Sequence, residues 1–258
     1  MTVEYPGSET GRGRSPDRTT FDQKYVQSLF DRIAYRYDFL NHALSAGVDI
    51  WWRRKAVRIL REFHPATILD VATGTGDLAI EVARLNAGKI VGIDISSQML
   101  GIARKKLIRH NLTTRVELIE GSAEQLQLAD ESFDAVTVAF GVRNFSDLTR
   151  GLSEMRRVLR PGGVALILEF SRPRHAPLKH VYQFYFRRIL PVVGGFISRS
   201  REAYEYLPRT VENFPDGENF VRILQSVGFP TVRQYPLTFG IATIYLAHKE
   251  IEEKVNVA

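Results

Sequence analysis

The sequence of 258 residues contains no cysteine. This absence excludes a disulfide scaffold, a cysteine nucleophile, an iron–sulfur cluster and a thiolate zinc site. The chain also lacks an uncharged apolar run of the roughly 18 residues that a membrane-spanning helix needs, and the apolar core of a signal peptide does not follow Met1. We therefore expect a cytoplasmic protein, and 44% hydrophobic and 25% charged residues are ordinary for a globular fold.

Acidic residues are missing from Ser171 to Arg201, a stretch of 31 residues that holds seven basic ones. The whole chain has 35 Lys and Arg against 29 Asp and Glu, a net charge of +6, so this segment carries the entire excess. Aromatic residues, among them Tyr182, Phe184 and Phe186, are interleaved with the basic ones. A basic total of this size fits nucleic acid, an anionic membrane surface or no particular partner.

The hydrophobic pattern changes along the chain. Residues 1–20 are rich in small and polar residues and predict a disordered tail. A helix is expected from Phe21, then a loop around Asn41–Gly47 and a second helix over Asp49–Phe63. After Pro65, short apolar strands alternate with helices, which predicts an α/β fold with a parallel sheet.

Two local features of this alternating region can be predicted more closely. The helix over Ser146–Leu159 is expected to end at Pro161-Gly162-Gly163. The last two strands, Thr231–Leu237 and Ile241–His248, follow one another too closely for a crossover, so we expect them to be antiparallel.

A glycine turn follows the first predicted strand, in the sequence Asp70-Val71-Ala72-Thr73-Gly74-Thr75-Gly76-Asp77. Glycines at such a turn let the backbone approach a ligand closely, although a tight turn without a ligand has the same appearance. Asp94 ends the second predicted strand, and its carboxylate can accept hydrogen bonds from a ribose diol. Together these residues predict a nucleotide site.

Two nucleotide-containing ligands compete for this site, a dinucleotide and S-adenosylmethionine. Ala79 stands where a dinucleotide-binding turn has its third glycine. Because alanine is also small, this position does not distinguish the two ligands. Asp70, however, would repel a pyrophosphate and suits the cationic sulfonium and amino groups of S-adenosylmethionine. The candidate cofactor-binding residues are those of the turn, the end of the second strand and the loop after the third: Asp70, Thr73, Gly74, Thr75, Gly76, Asp94, Ile95, Ser122 and Ala123.

The ordered set of motifs from Ile68 to Phe170 resembles the class I S-adenosylmethionine-dependent methyltransferases. It includes Gly121-Ser122-Ala123-Glu124, Phe133-Asp134 and Arg157-Val158-Leu159-Arg160-Pro161-Gly162-Gly163. The resemblance implies a Rossmann-like fold, with a seven-stranded, mostly parallel sheet whose last strand is antiparallel, here preceded by N-terminal helices.

Three further stretches narrow the resemblance. Tyr37–Ser45, Phe140–Asn144 and the run from Arg157 to Ser171 resemble the ubiquinone/menaquinone biosynthesis methyltransferases, over nearly the whole chain from about Phe30. The family implies C-methylation of a prenylated hydroquinone, and we expect conversion of demethylmenaquinol to menaquinol. The alternatives are the benzoquinol of the ubiquinone pathway, another prenylquinol or a different small molecule. Departures from the family pattern are Asp49 for His, Arg160 for Lys and Thr73 for Gly, and Asp49 bears on the choice of substrate.

This chemistry requires a stabilised phenolate, aligned reactants and an acceptor for the ring proton. Arg143 is the candidate cation for the phenolate, and Asn144 the candidate for orienting a water or the substrate oxygen. Tyr37 and Asn41 are expected to close the pocket, which Phe140 also lines. The alternatives are an ion pair for Arg143, a helix cap for Asn144 and a core position for Tyr37. No metal is required, and none of the six histidines forms a cluster with metal-ligand spacing.

We expect residues 21–258 to form a single domain, with 21–64 as a helical lid and 171–210 as an inserted segment beside the substrate. The basic and aromatic residues of the insert favour a peripheral position on the inner face of the cell membrane, since each basic residue contributes about 1 kcal/mol near an anionic surface. A solvated helical face is the alternative, and a homodimer is left open. Nucleic acid is not an expected partner, because the charge is gathered in one aromatic-rich segment. A nicotinamide oxidoreductase is disfavoured by Asp70.

Overall fold

The computed structural model describes residues 22–45, 47–174, 176–177, 180 and 201–251. The side chains at 39–41, 43–44, 201–205 and 207 lie outside this description. The predicted tail over residues 1–20 and most of the basic segment also lie outside it.

The helices follow the predicted order along the chain. They are α1 (Gln23–Leu44), α2 (Val48–Leu60), α3 (Asp77–Val82), α4 (Ser97–Arg109), α5 (Leu148–Val158), α6 (Arg201–Asn213) and α7 (Glu218–Ser226). Short 3-10 turns lie at Arg61–Phe63, Ala83–Leu85, Val142–Asn144 and Thr238–Gly240.

Within the described residues, seven strands form one sheet in the order β3-β2-β1-β4-β5-β7-β6. They are β1 (Thr67–Val71), β2 (Lys89–Asp94), β3 (Val116–Glu120), β4 (Phe133–Ala139), β5 (Leu159–Phe170), β6 (Thr231–Leu237) and β7 (Ala242–His248). The neighbours from β3 to β5 are parallel, whereas β7 runs antiparallel to both β5 and β6. The expected antiparallel final strand is confirmed.

The sheet is covered on both faces, which is why its central strands are continuous apolar runs. One core cluster joins the sheet to α2 and α3 through residues such as Trp52, Leu60 and Val82. The other joins it to α5 and α7 through residues such as Leu152 and Phe220. These two layers fix the positions of the loops at the carboxyl ends of the strands.

The structure differs from the sequence prediction at the end of α1. The helix continues to Leu44, beyond the expected loop start at Asn41. Gly47 adopts a left-handed conformation with φ of 75°, and its N–H donates to the carbonyl oxygen of His42 over 2.7 Å. Helix α1 itself contains no glycine or proline, so it continues until Gly47 satisfies the carbonyl group of His42 near its end.

The prediction for Pro161-Gly162-Gly163 was wrong. The three residues do not close a helix but lie inside β5, where the pairing with β4 jumps from Phe133–Leu159 to Ala135–Val164. This extra length on β5 is an irregularity that Gly162 permits, since its φ of 79° is left-handed. The preceding helix begins after Asp147, whose side chain accepts a hydrogen bond from the Arg150 N–H over 2.9 Å.

Candidate functional site

A cleft of about 660 Å³ opens at the carboxyl ends of β1, β2 and β4 and is covered by α1. In this sheet the strand order reverses between β1 and β4, and ligands of open α/β sheets bind at such a point. The residues that line it come from α1, from the loops after β1, β2, β3 and β4, and from α4. They are Gln23, Val26, Phe30, Tyr37, Ala72, Gly74, Asp94, Ile95, Met99, Gly121, Ser122, Ala123, Glu124, Ala139, Phe140, Gly141, Asn144 and Phe145.

The glycine turn between β1 and α3 forms one wall of the cleft. Gly74 and Gly76 have φ of 57° and 83°, in the left-handed region that glycine adopts at little cost. A Cβ at Gly74 would meet no described atom within 4 Å, whereas one at Gly76 would lie 3.2 Å from Ala103 of α4. Gly76 therefore allows the turn to pack on α4, and Gly74 leaves open space beside the cleft.

Asp94 lies at the end of β2 on the floor of the cleft. Its carboxylate accepts backbone N–H groups of Gly74 over 2.8 Å and of Ser96 over 2.9 Å. Burial raises the pKa of Asp94 to about 6, against the opposing effect of these hydrogen bonds. Each carboxylate oxygen keeps a further lone pair, so this fixed group can still accept hydrogen bonds from a ribose diol.

Asp70 faces a smaller recess of about 340 Å³ that shares Gly74 and Tyr37 with the cleft. Its carboxylate accepts the hydroxyls of Thr73 over 2.6 Å and Thr137 over 2.8 Å. Burial raises the pKa of Asp70 to about 6. Thr73, which departs from the family pattern, thus uses its hydroxyl to hold this carboxylate in place.

The loop after β3 closes the opposite wall. Ser122 and Ala123 line the cleft, and the Ser122 hydroxyl accepts the Glu124 N–H over 3.1 Å. The Glu124 carboxylate in turn accepts the Ser146 N–H over 2.6 Å, which ties this loop to the segment before α5. Glu124 and Met99 were not among the predicted site residues, although Glu124 is the last residue of the predicted motif Gly121-Ser122-Ala123-Glu124.

Helix α1 is bonded to the cofactor side of the cleft at several points. Gln27 donates to the carbonyl oxygen of Ile95 over 2.7 Å, and Ser96 donates to Asp31 over 2.5 Å. Further along, the Asp38 carboxylate accepts the Thr75 hydroxyl and lies 2.5 Å from Lys106 Nζ. These long-range polar contacts hold α1 against the cleft that it lines.

Asp49 belongs to a buried network at the α1–α2 turn. It accepts the Ser45 hydroxyl over 2.6 Å, lies 2.9 Å from His42 Nδ1 and pairs with Arg53. Although burial alone would raise the pKa of Asp49, the contacts with Ser45 and Arg53 hold it below its usual range. Asp49 is not among the described residues that line the cleft, and its contacts lie within this network.

The predicted substrate side of the cleft contains Phe140, Asn144 and Tyr37. Phe140 packs against Trp52 with ring centroids 6.0 Å apart and against Phe170 with centroids 4.6 Å apart. The side chain of Asn41 lies outside the described residues. The structure therefore brings three of the five predicted substrate-side residues to the lining of this cleft.

Arg143 is held differently from its neighbours. Its Nη1 lies 2.6 Å from Glu169 Oε1 and donates to the carbonyl oxygen of Phe140 over 2.6 Å. Burial opposes the charge, but Glu169 together with Tyr37 and Tyr206 outweighs burial and raises the pKa of Arg143 above its usual value. Among described residues Nε has no hydrogen-bond partner, and Arg143 does not line the cleft. The alternative of an ion pair is thus realised, with an acid from β5.

Sequence reasoning did not single out Tyr206. This buried residue of α6 donates its hydroxyl to Asn144 Oδ1 over 2.9 Å and meets Phe30 edge-on, with ring centroids 6.5 Å apart. Tyr206 belongs to no matched motif, so its only signal was its position in the segment 171–210 that was expected to shape the substrate pocket.

Neither a metal site nor a contact of Arg160 with the cleft is found among the described residues. No group of three or more His, Asp or Glu side chains could hold a metal ion there. Arg160, another departure from the family pattern, pairs with Asp134, which also accepts the Thr67 N–H over 2.8 Å. This pair lies at the amino ends of β1 and β4, at the opposite edge of the sheet from the cleft.

Comparisons with known proteins agree with this geometry. The sequence pattern of the ubiE/COQ5 methyltransferase family matches residues 18–249. Demethylmenaquinone methyltransferase of Chlorobaculum tepidum is 44% identical over 234 residues, covering 89% of this chain and 94% of that protein. Ubiquinone/menaquinone biosynthesis C-methyltransferase UbiE of Geotalea daltonii is 46% identical over 226 residues, covering 87% and 96%.

Solved structures share the fold. A SAM-dependent methyltransferase from Thermotoga maritima superimposes with a TM-score of 0.60 at 21% identity, over 87% of this chain and all of that chain. An arsenic(III) S-adenosylmethionine methyltransferase from Chlamydomonas reinhardtii gives a TM-score of 0.51 at 23% identity, over 73% and 64%. The predicted Rossmann-like methyltransferase fold is confirmed.

Proposed function

The chain belongs to the ubiE/COQ5 methyltransferase family and is a SAM-dependent C-methyltransferase, and from this premise we propose that it converts demethylmenaquinol to menaquinol. The observation that carries the substrate class is the composition of the cleft. Its cofactor side is polar, and its other side is walled by Phe30, Phe140 and Phe145, with the amide of Asn144 among them. An aromatic ring with a hydroxyl group fits this pairing of apolar surface and a single polar group.

The residues on the cofactor side match the chemistry of S-adenosylmethionine. Asp94 would accept hydrogen bonds from the ribose hydroxyls, and Gly74 would let the backbone of the turn lie close to the ligand. Asp70 would face the cationic part of the ligand. When bound, S-adenosylmethionine supplies an electrophilic methyl group on a sulfonium sulfur. The negative charge of Asp70 and Asp94 would attract this cation, and Ser122 and Ala123 would line the rest of the cofactor side.

The substrate side has to make a ring carbon nucleophilic. Loss of the proton from a ring hydroxyl to water gives a phenolate and places charge on the neighbouring carbon. That carbon would form the new C–CH3 bond as the S–CH3 bond of the sulfonium breaks and leaves a neutral thioether. The ring proton would then pass to water, which restores the aromatic quinol. The Asn144 amide can donate a hydrogen bond to the phenolate oxygen. Arg143, held by Glu169 and bonded to the carbonyl oxygen of Phe140, would add positive potential beside the cleft. Tyr37 and Asn41 would close the site.

We further propose the domain organisation that the sequence predicts, with a lid over 21–64 and an insert over 171–210. The contacts of α1 with Ile95, Ser96 and Thr75 support the lid. The position of Tyr206 against Asn144 supports a role of the insert beside the substrate.

A prenylated quinol resides in the bilayer, so the enzyme would work as a peripheral protein at the inner face of the cell membrane. Arg172 and Arg174, at the start of the basic segment, are both exposed, and Arg172 pairs with Asp216. No described helix is long and apolar enough to cross a membrane. The attraction is expected to be electrostatic, because basic residues near anionic headgroups each contribute about 1 kcal/mol.

A methyl-transfer assay tests the substrate. The full chain is incubated with S-adenosylmethionine and either reduced demethylmenaquinone or the matching benzoquinol, and the product is identified by mass spectrometry. We expect methylation of the naphthoquinol. Faster methylation of the benzoquinol would assign the ubiquinone pathway instead, and no product with either quinol would refute the proposal.

A sedimentation assay tests whether the protein binds to anionic membranes. The full chain should sediment with vesicles that contain anionic phospholipid and not with purely zwitterionic vesicles, and the bound fraction should fall as salt is raised. Equal binding to both kinds of vesicle would contradict an electrostatic attachment.

A further inference from the structure

We infer that Tyr206 is a positioning residue of the methyl transfer, because its hydroxyl fixes the Asn144 amide with the nitrogen available to the substrate oxygen. This inference rests on the proposed function, since the substrate oxygen is that of the quinol. It assigns to α6 a role that none of the matched sequence motifs indicates.

Two contacts set the orientation of the Asn144 amide. Oδ1 accepts the Tyr206 hydroxyl over 2.9 Å, and Nδ2 lies 3.4 Å from the carbonyl oxygen of Phe140. A flipped amide would place Oδ1 against the Phe140 oxygen, where two acceptors would face each other. The two contacts therefore favour the same orientation, with Oδ1 turned to Tyr206.

The amide nitrogen carries two hydrogens, and only one of them can point at the Phe140 oxygen. Asn144 lines the cleft, so the second hydrogen is the polar group that the side chain can offer to a ligand there. An N–H facing the ring oxygen stabilises a phenolate, whereas a carbonyl oxygen in the same place would repel it. The orientation of this amide therefore decides whether it assists the reaction or opposes it.

The packing around Tyr206 fixes its side chain beside the Asn144 amide. Its side chain is 6% exposed, and its ring packs against Phe30 and against Tyr25, whose ring centroid is 6.3 Å away. Burial raises the pKa of Tyr206 to about 12 despite the nearby Arg143, so the hydroxyl stays protonated and remains a donor. Within the described residues Tyr206 does not line the cleft, so it acts through Asn144.

A double-mutant cycle tests the inference. Tyr206→Phe removes the hydroxyl and keeps the ring, and we expect kcat for the quinol to fall about tenfold with cofactor affinity unchanged. Asn144→Ala removes the donor and should lower kcat by about a hundredfold, as loss of one oxyanion donor does. If Tyr206 acts through Asn144, the double variant is no slower than Asn144→Ala alone.

Tyr245→Phe is the matched control. Tyr245 is a buried tyrosine of β7, away from the predicted motifs, and its hydroxyl accepts the Gly217 N–H over 2.8 Å. Its loss should lower stability about as much as the Tyr206 change, by one buried hydrogen bond, and leave kcat unchanged. A purely structural role of Tyr206 predicts that both variants behave alike.

A spectroscopic readout separates this inference from the proposed substrate. The side-chain amide resonances of Asn144, assigned by their loss in Asn144→Ala, should shift in Tyr206→Phe and stay in place in Tyr245→Phe. Unshifted resonances, or additive effects in the double variant, would overturn the inference. A wild-type chain that methylates neither quinol would refute the proposed function, and the resonances would still decide whether Tyr206 orients the amide.

Discussion

The guanidinium of Arg143 and the carboxylate of Glu169 form a buried ion pair, with 2.6 Å between Nη1 and Oε1. The side chains are 5% and 0% exposed, and the pair joins the turn after β4 to the end of β5. Arg143 Nη1 also donates to the carbonyl oxygen of Phe140, the same oxygen that Asn144 Nδ2 approaches. The pair therefore supports the backbone beneath the proposed substrate site.

Arg143→Ala should lower both turnover and stability. It leaves the Glu169 carboxylate buried without its partner, which costs about 3–5 kcal/mol in free energy of unfolding. Cofactor affinity should change little, because Asp94 and Gly74 are untouched. Urea unfolding and kcat measure the two effects.

The double variant Arg143→Ala with Glu169→Gln distinguishes the two roles of the arginine. Removing the unpaired charge should restore part of the stability without restoring turnover. Wild-type turnover in either variant would contradict a contribution of Arg143 to catalysis.

Cofactor affinity should depend on the protonation of Asp94. Burial raises the pKa of this carboxyl to about 6, with Asp31 of α1 raising it further and the N–H groups of Ser96 and Gly74 opposing the rise. Above pH 6 the ionised carboxylate accepts ribose hydroxyls, and below it the protonated form binds more weakly. Calorimetry should show affinity about fourfold lower at pH 5.5 than at pH 7.5, as expected for a group titrating near 6.

Asp94→Asn is the control for this titration. This variant should bind the cofactor more weakly at pH 7.5, and its cofactor affinity should change less with pH. The pKa of Asp70 is also about 6, so an unchanged profile in Asp94→Asn would assign the titration to Asp70.

Lys106→Met should loosen α1 over the cofactor. Lys106 Nζ lies 2.5 Å from carboxylate oxygens of both Asp38 and Asp77, and so joins α1, α3 and α4. Losing these partly buried pairs should weaken cofactor binding about fivefold, equivalent to roughly 1 kcal/mol. Faster cofactor dissociation in stopped-flow measurements would accompany the weaker binding.

Lys89→Met provides the comparison, since Lys89 forms an exposed pair with Glu117 over 3.1 Å on the sheet edge. That variant should bind the cofactor normally. Equal effects of both changes would show that net charge, and not the α1 contact, controls binding.

Gly74→Ala should impair cofactor binding beyond its effect on stability. The left-handed φ of 57° makes alanine unfavourable by about 1 kcal/mol, and the new methyl group would enter the open space beside the cleft. Gly47→Ala carries the same backbone cost, with φ of 75° and open space around its Cβ, at a turn that does not line the described cleft. Thermal unfolding should show similar losses for the two variants, whereas a weaker cofactor affinity is expected only for Gly74→Ala.

The sequence by itself determined the sheet and the place of the proposed cofactor-binding residues at its carboxyl edge. The apolar strands follow from the need for burial, and the glycine turn follows from a left-handed backbone. Asp94 is a carboxylate at a strand end. All three depend on the local sequence, so they can be recognised before the fold is known. The predictions for the end of α1 and for Pro161-Gly162-Gly163 were wrong because both depend on the hydrogen-bond partners of the backbone. Gly47 satisfies the helix carbonyls, and β4 accommodates the irregular start of β5.

Only the tertiary structure decided the partners of the predicted residues. Arg143 and Glu169 are 26 positions apart and Tyr206 and Asn144 are 62 apart, and no local pattern links either pair. Such contacts form because packing the sheet between its helices brings the end of β5, the turn after β4 and α6 together, where buried polar groups must find partners. The sequence thus identified Arg143 and Asn144 as candidates, and the fold determined that one is held by Glu169 and the other by Tyr206.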